Sequence, residues 1–246
     1  VSRVTGHAPA APTANWRAGY RAEHVPAWYL GRAHLAFTSI SCLGVIALCA
    51  ARIEDVQPLE WLTIPLTFLY ANLVEYAGHR GPMHHRTAGL GVIFRRHTLQ
   101  HHRFFTHEAM AFDSTRDYKA VLFPTVMILF FVGAFALPAG LLIAWLLTPN
   151  VAWLFVLTAV AYFLNYEWLH FAYHTPADSL VARLPGVARL RRLHTHHHNP
   201  ALMQRYNFNI TYPIGDRLFG TYFPFSGPSM SGRAIRGDLR SDKGPV

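Results

Sequence analysis

Apolar positions gather into four long runs divided by short polar turns. The runs cover residues 34–51, about 59–77, about 120–147 and 151 to about 173. The first two each approach the ~20 residues that an α-helix needs to cross a bilayer. Arg52-Ile-Glu-Asp-Val-Gln-Pro58 separates them, and Thr148-Pro149-Asn150, a strong turn signal, separates the last two. The 120–147 run is long for one crossing and contains Pro138. It predicts either one tilted helix kinked at the proline or a crossing with a short re-entrant piece. The pattern predicts an all-α polytopic membrane protein of two transmembrane helical hairpins, about four crossings. The alternative is a soluble bundle of unusually apolar helices. Several runs near the ~18-residue threshold argue against it.

Composition agrees. Apolar residues make up 52% of the 246 and charged residues only 14%, against about 25% charged in soluble domains. The net charge is +9, but no basic stripe interleaved with aromatics offers a nucleic-acid surface, so no nucleic-acid partner is expected. The arginines flank the apolar runs instead. Arg80, Arg86, Arg95, Arg96, Arg103, Arg116 and Lys119 follow the second run, and Arg183, Arg189, Arg191 and Arg192 follow the fourth; the turns at 53–58 and 148–150 hold neither Lys nor Arg. By the positive-inside rule, both basic segments and both termini are expected on the cytoplasmic side of a lipid membrane. Cys42 and Cys49 lie seven apart in an apolar run and read as buried small hydrophobes, not a disulfide or thiolate site. One domain over 1–246 is expected, with 1–25 and 227–246 as mobile or surface-lying tails.

Thirteen of the sixteen histidines fall within 79–107 and 170–198. They form four boxes: His79-Arg-Gly-Pro-Met-His84, His97-Thr-Leu-Gln-His101-His102, His170-Phe-Ala-Tyr-His174 and His194-Thr-His-His197-His198. Histidines four apart share a helix face, which pairs His97 with His101, His170 with His174 and His194 with His198. The doublet His101-His102 aims two rings about 100° apart, one towards each of two metals. Pro82 disfavours helical geometry at Gly81, so the second helix should end there and turn back to aim His84. A shared metal site requires both histidine segments on one side of the membrane. One kinked crossing out and one back between them satisfies this.

In order and type, H-x4-H, H-x3-HH, H-x3-H and H-x2-HH resemble the histidine boxes of the fatty acid hydroxylase/sterol desaturase superfamily. The resemblance covers about 70–225. It includes the stretch from Asn207-Phe208 to Asp216-Arg217, although Asn209 and Gly215 stand where family members often have Gly and Trp. Carried over residue by residue, the resemblance implies metal ligation by His79, His84, His97, His101, His102, His170, His174, His194, His197 and His198. His85, His107 and His196 are expected near the site without ligating, and His7, His24 and His34 away from it.

Imidazole binds Zn, Cu, Fe and Ni alike. Ten imidazoles over two metals leave an open octahedral position on each, which suits two iron ions better than structural zinc, satisfied by four ligands; zinc could occupy the protein as isolated. Glu75, four residues before His79, and Glu167, three before His170, are carboxylates at the ends of apolar helices. Each is expected to accept an imidazole N–H and orient that ring; Asp216 and Asn207 are further candidates.

The resemblance implies O2-dependent hydroxylation of a C–H bond in a hydrophobic lipid-type substrate (fatty acyl, sterol or related). Desaturation or carotenoid hydroxylation is the alternative within the superfamily. No flavin or dinucleotide fingerprint is present, so an external electron donor is expected: a ferredoxin, a cytochrome or a reductase. A reading of another class is a non-catalytic zinc-binding membrane protein. It is disfavoured by the few intramembrane polar groups available to line an ion path.

Overall fold

The computed structural model describes residues 10–224. Helices dominate and no strand occurs among the described residues; one isolated bridge pairs Thr106 with Ala109. The main helices are α1 (Ala11–His24), α2 (Gly31–Ala50), α3 (Thr63–Gly78), α4 (Leu137–Leu146), α5 (Pro149–Tyr173) and α6 (Pro185–His197).

α5 is the central strut, packed by α2, α3 and α4. Thr148 caps its first turn by accepting from Val151 N–H, and Pro149 occupies the first position, where no N–H is needed. From Pro149 to His170 the helix rises about 31 Å at 1.5 Å per residue, the thickness of a hydrocarbon core. Cys42 and Cys49 on α2 interlock with Val156, Val160 and Leu164 of α5, as small buried hydrophobes should. Outward-facing residues are apolar as well: Ile40, Leu66, Leu129, Leu141 and Trp145 are all exposed. An exposed apolar surface of this extent is compatible with lipid contact.

Three helical segments are long and apolar enough to cross a membrane: Gly31–Ala50, Thr115–Leu146 and Pro149–Tyr173. α3 has 16 residues and is led in by a 3-10 turn, Glu60–Leu62. Within the long middle segment, α4 is preceded by the α-helical turn Val126–Phe131 and the π-helical turn Val132–Ala136. The wider π turn stops at Ala136, immediately before Leu137-Pro138, where proline has no N–H to give the helix. The far turns are tied together: Asn150 Nδ2 donates to Glu54 O at 2.7 Å, and Thr148 Oγ1 donates to Glu60.

The expected N-terminal tail is corrected by the structure. Residues 11–24 form α1, whose Arg17 is only 1% exposed. Arg17 donates from Nε to Phe104 O at 2.8 Å, from one terminal nitrogen to Ala109 O at 2.6 Å and from the other to Asp113 at 3.1 Å. Arg21 pairs with Asp117 at 2.7 Å, and Asp117 closes a capping box with Ser114. Residues 1–9 and the other expected tail, 227–246, lie outside the described residues.

Gly31 opens α2 against the Thr115 carbonyl. A Cβ there would sit 1.8 Å from Thr115 O and 2.9 Å from its carbonyl carbon, so backbone has to move. Gly31→Ala is expected to destabilise by about 1–3 kcal/mol, the usual cost of overpacking. A thermal melt of the detergent-solubilised variant checks this; an unchanged midpoint would show that the contact is not tight.

Candidate metal centre

The four boxes arrive at the C-terminal end of α5 by different routes. α5 brings His170 and, at its C-terminal boundary, His174. α6 brings His194 and His197, with His198 at its end. His79 and His84 flank the π-helical turn His79–Met83, inside which Gly81 is non-helical, in keeping with Pro82. His97 and His101 lie on a second π-helical segment, Arg95–His101.

All ten rings are buried, none more than 8% exposed. They fall into two groups. His79, His84, His97, His102 and His197 turn nitrogens towards one point, and His101, His170, His174 and His194 towards another. His198 joins the second group, its Nε2 3.0 Å from that of His194. The doublet His101-His102 is thus divided between the groups. His97 and His101 share a face as expected, their rings stacked with centroids 5.3 Å apart, although they fall in different groups. The π-helical winding brings His102 to His97 as well, Nε2 to Nε2 3.0 Å. His194 and His198, on an ordinary α-helical turn, do align at i, i+4.

The protonation of these rings follows from their outer contacts. Nδ1 of His79 faces Phe208 O, that of His101 faces Ala120 O, that of His174 faces Met110 O, that of His197 faces Tyr206 O and that of His198 faces Phe105 O. A carbonyl can only accept, so in each neutral ring Nδ1 carries the hydrogen and Nε2 bears a lone pair. Those Nε2 atoms meet other imidazole nitrogens closely: His79 and His97 at 2.8 Å, His84 and His197 at 2.9 Å, His174 and His194 at 3.1 Å, His101 and His170 at 3.2 Å. Lone pairs converging in a buried space repel unless a cation lies among them. Two nitrogens bound about 2.1 Å from one metal at right angles lie about 3 Å apart. The donor set and spacing fit a metal in each group.

Burial also keeps the rings neutral. It pushes His84 down to about 2, with repulsion from His197 adding to it. It pushes His101 and His197 down to about 4 against the opposing pull of their carbonyl partners. Imidazoles with depressed folded-state values favour the fold fully above the unfolded value of about 6.5 and lose that contribution as pH falls through the folded values. Metal-stripped protein is therefore expected to melt at a constant temperature above about pH 6.5. It should lose up to about 1.4 kcal/mol per pH unit for each such ring between there and about pH 4. A flat melting temperature over that window would contradict the burial.

Glu75, Glu167 and Asp216 do not make the imidazole contacts expected of them. Glu75 accepts from the backbone N–H groups of Ile210 and Thr211, from Thr211 Oγ1 at 2.6 Å and from Tyr162 Oη. Glu167 accepts from Phe123 N–H at 3.2 Å. Asp216 accepts from Phe208 N–H at 2.9 Å, Asn209 N–H at 2.8 Å and Thr221 Oγ1 at 2.7 Å. Asn207, at positive φ, exchanges hydrogen bonds between its side chain and the Phe223 backbone. The carboxylates fix the backbone that receives the imidazoles, one step further out than their sequence spacing suggests. Such a role needs three-dimensional pairing, which no box spacing carries. The reach of Arg17 to the carbonyls of Phe104 and Ala109, and of Arg96 to those of Lys119 and Leu122, carries no motif, whereas the Ser114-x-x-Asp117 capping pattern is visible in the sequence.

Of the other histidines, His85 is exposed while its neighbour His84 is 1% exposed, and His107 is half-buried. His196 packs against Phe223. His34 bridges Tyr29 Oη and Phe123 O, a clip between the start of α2 and the distant stretch around Phe123. His7 lies outside the described residues.

No curated protein and no solved structure matches the chain significantly. The family model for fatty acid hydroxylase matches residues 64–221, a span from α3 through all four histidine boxes to the Asp216 segment. That is more than half of the chain, and the protein therefore belongs to the fatty acid hydroxylase family of oxidoreductases.

Proposed function

We propose that this protein is an integral-membrane oxygenase that hydroxylates a C–H bond of a lipid-type substrate at a histidine-ligated di-iron centre. The observation that carries the reading is the convergence of two groups of five buried imidazoles, five of the ten rings with lone pairs set inward by carbonyl contacts. His79, His84, His97, His102 and His197 would hold one iron, and His101, His170, His174, His194 and His198 the other. Nitrogen spacings near 3 Å suit right-angled, six-coordinate geometry better than the tetrahedron of structural zinc. Bound iron would supply O2 activation and the oxidant for an unactivated C–H bond.

The chain's own residues prepare that chemistry. Phe104, Phe105 and Phe208 are fully buried. Phe105 lies 4.1 Å from the His174 ring and Phe208 lies 5.8 Å from that of His197, so these rings keep water from the imidazoles. Tyr166 and Phe123 stack at 5.5 Å on the membrane side of His170 and give an apolar approach for a chain entering from the bilayer. In this reading α3 supplies a fourth crossing, one oxygenase domain holds the whole site, and the histidine groups and both termini face the cytoplasm. Electrons come from an external ferredoxin, cytochrome or reductase.

The test is anaerobic reconstitution with Fe(II), metal analysis, then addition of O2, an electron donor and membrane lipid. About two irons per chain with a hydroxylated lipid is the expected result. An unsaturated product would move the assignment to desaturation. Tight zinc with no product across donors and lipid classes would overturn the oxygenase reading.

A further inference from the structure

The two histidine groups receive their carbonyl acceptors from two separate stretches of backbone, each held by its own buried charges. In the first group, His79 and His197 are met by the carbonyls of Phe208 and Tyr206. These belong to a strap, residues 206–211, whose four N–H groups from 208 to 211 are all taken by Asp216 and Glu75. In the second group, His198, His174 and His101 are met by the carbonyls of Phe105, Met110 and Ala120. That collar is held from outside by guanidinium groups. Arg17 takes the carbonyls of Phe104 and Ala109, each one residue before a carbonyl that faces a histidine. Phe105 is extended, so consecutive carbonyls turn to opposite sides: Phe104 outward to Arg17, Phe105 inward to His198. Arg96 takes the carbonyls of Lys119 and Leu122, which flank that of Ala120. Strap and collar are thus held by separate sets of hydrogen bonds.

We infer that Asp216 and Arg17 are positioning residues for different metals: Asp216, through the strap, sets the affinity of the His84 group, and Arg17, through the collar, sets that of the His174 group. The inference rests on the metal-centre reading above. The carboxylate of Asp216 offers each oxygen to a different N–H; an amide would turn its own N–H₂ against one of these donors and release the strap. Arg17 satisfies two outward carbonyls with one planar fork, which a glutamine cannot span. Losing the hydrogen-bonded support behind a ligand typically costs ~10–100-fold in metal affinity.

The test uses the full chain in detergent, stripped of metal and titrated with Zn(II) alone. His174→Ala leaves the first group as the intact site, and His84→Ala leaves the second. Asp216→Asn is expected to weaken Zn(II) ~10–100-fold in the His174→Ala background and less than about 3-fold in the His84→Ala background. Arg17→Gln should show the reverse. A merely structural role would weaken both sites together and in step with the melting temperature; that pattern, or no effect in either background, overturns the inference. Should Asp216→Asn fail to fold, Thr221→Val removes the hydroxyl that donates to Asp216 and contacts Tyr76 Oη, and should give a smaller loss with the same selectivity; equal loss at both sites again overturns it. Wild-type protein that binds no Zn(II) would instead sink the metal-centre reading itself.

Discussion

His84→Ala is expected to leave one bound metal where the proposed centre gives the wild type two, and to cut product formation by more than about 100-fold. The figure exceeds the 10–100-fold that removal of a ligand's supporting partner costs, because here a donor atom itself is lost. The His84 Nε2 lies 2.9 Å from that of His197 and 3.2 Å from that of His79, so no neighbouring side chain can take its place without displacing another ring. The adjacent His85 is the control. It is exposed, and His85→Ala should leave metal content and rate within a factor of about two of wild type, as expected of surface substitutions. Metal analysis of both variants beside their turnover decides the matter. Full occupancy and activity in His84→Ala would remove that residue from the site, and equal damage from both would point to a folding defect.

The second large effect is expected at Glu75. Its carboxylate collects four donors: two backbone N–H groups of the strap, the Thr211 hydroxyl and the Tyr162 hydroxyl. Tyr162 belongs to α5, Glu75 to α3, and Asn72 one turn earlier donates to Tyr162 Oη at 3.0 Å and to Tyr212 O at 2.8 Å. Glu75→Ala would leave several of these donors with no acceptor in an apolar setting, at about 1–3 kcal/mol each. Partial relaxation leaves a net destabilisation of about 4 kcal/mol. A melting temperature lower by roughly 10 °C is the corresponding reading for a chain of this size. If the variant melts within a degree or two of wild type, the carboxylate is not what binds the strap to α3.

Much of this architecture is legible in the sequence, for reasons that differ from part to part. The apolar runs announce their helices because uninterrupted apolar length is what a membrane-compatible helix requires. The histidine boxes announce a metal centre because buried imidazoles at such density have few other uses. Three features are hidden. The π-helical winding at Arg95–His101 leaves no mark in a residue pattern, so the grouping of His97 with His102 cannot be read from it. The docking of α1 depends on Arg17 and Arg21 reaching carbonyls and carboxylates some ninety positions away, and scattered arginines in an Ala- and Pro-rich stretch give no sign of that. The carboxylates are visible near the boxes, but their partners are peptide N–H groups, which every residue except proline possesses.

The loosely wound segment at Arg95–His101 also makes the second box a ruler. Five residues from His97 to His102 complete about one π turn, while His101, one position earlier, is thrown across to the other group. Inserting a single residue between His97 and His101 would put six steps between His97 and the second ring of the doublet, more than one turn of either winding. The doublet would then swing by about 100° and its two rings would serve neither centre. Substitution at Thr98, Leu99 or Gln100 leaves that count untouched. This stretch of chain should therefore accept changes of letter far more readily than changes of length.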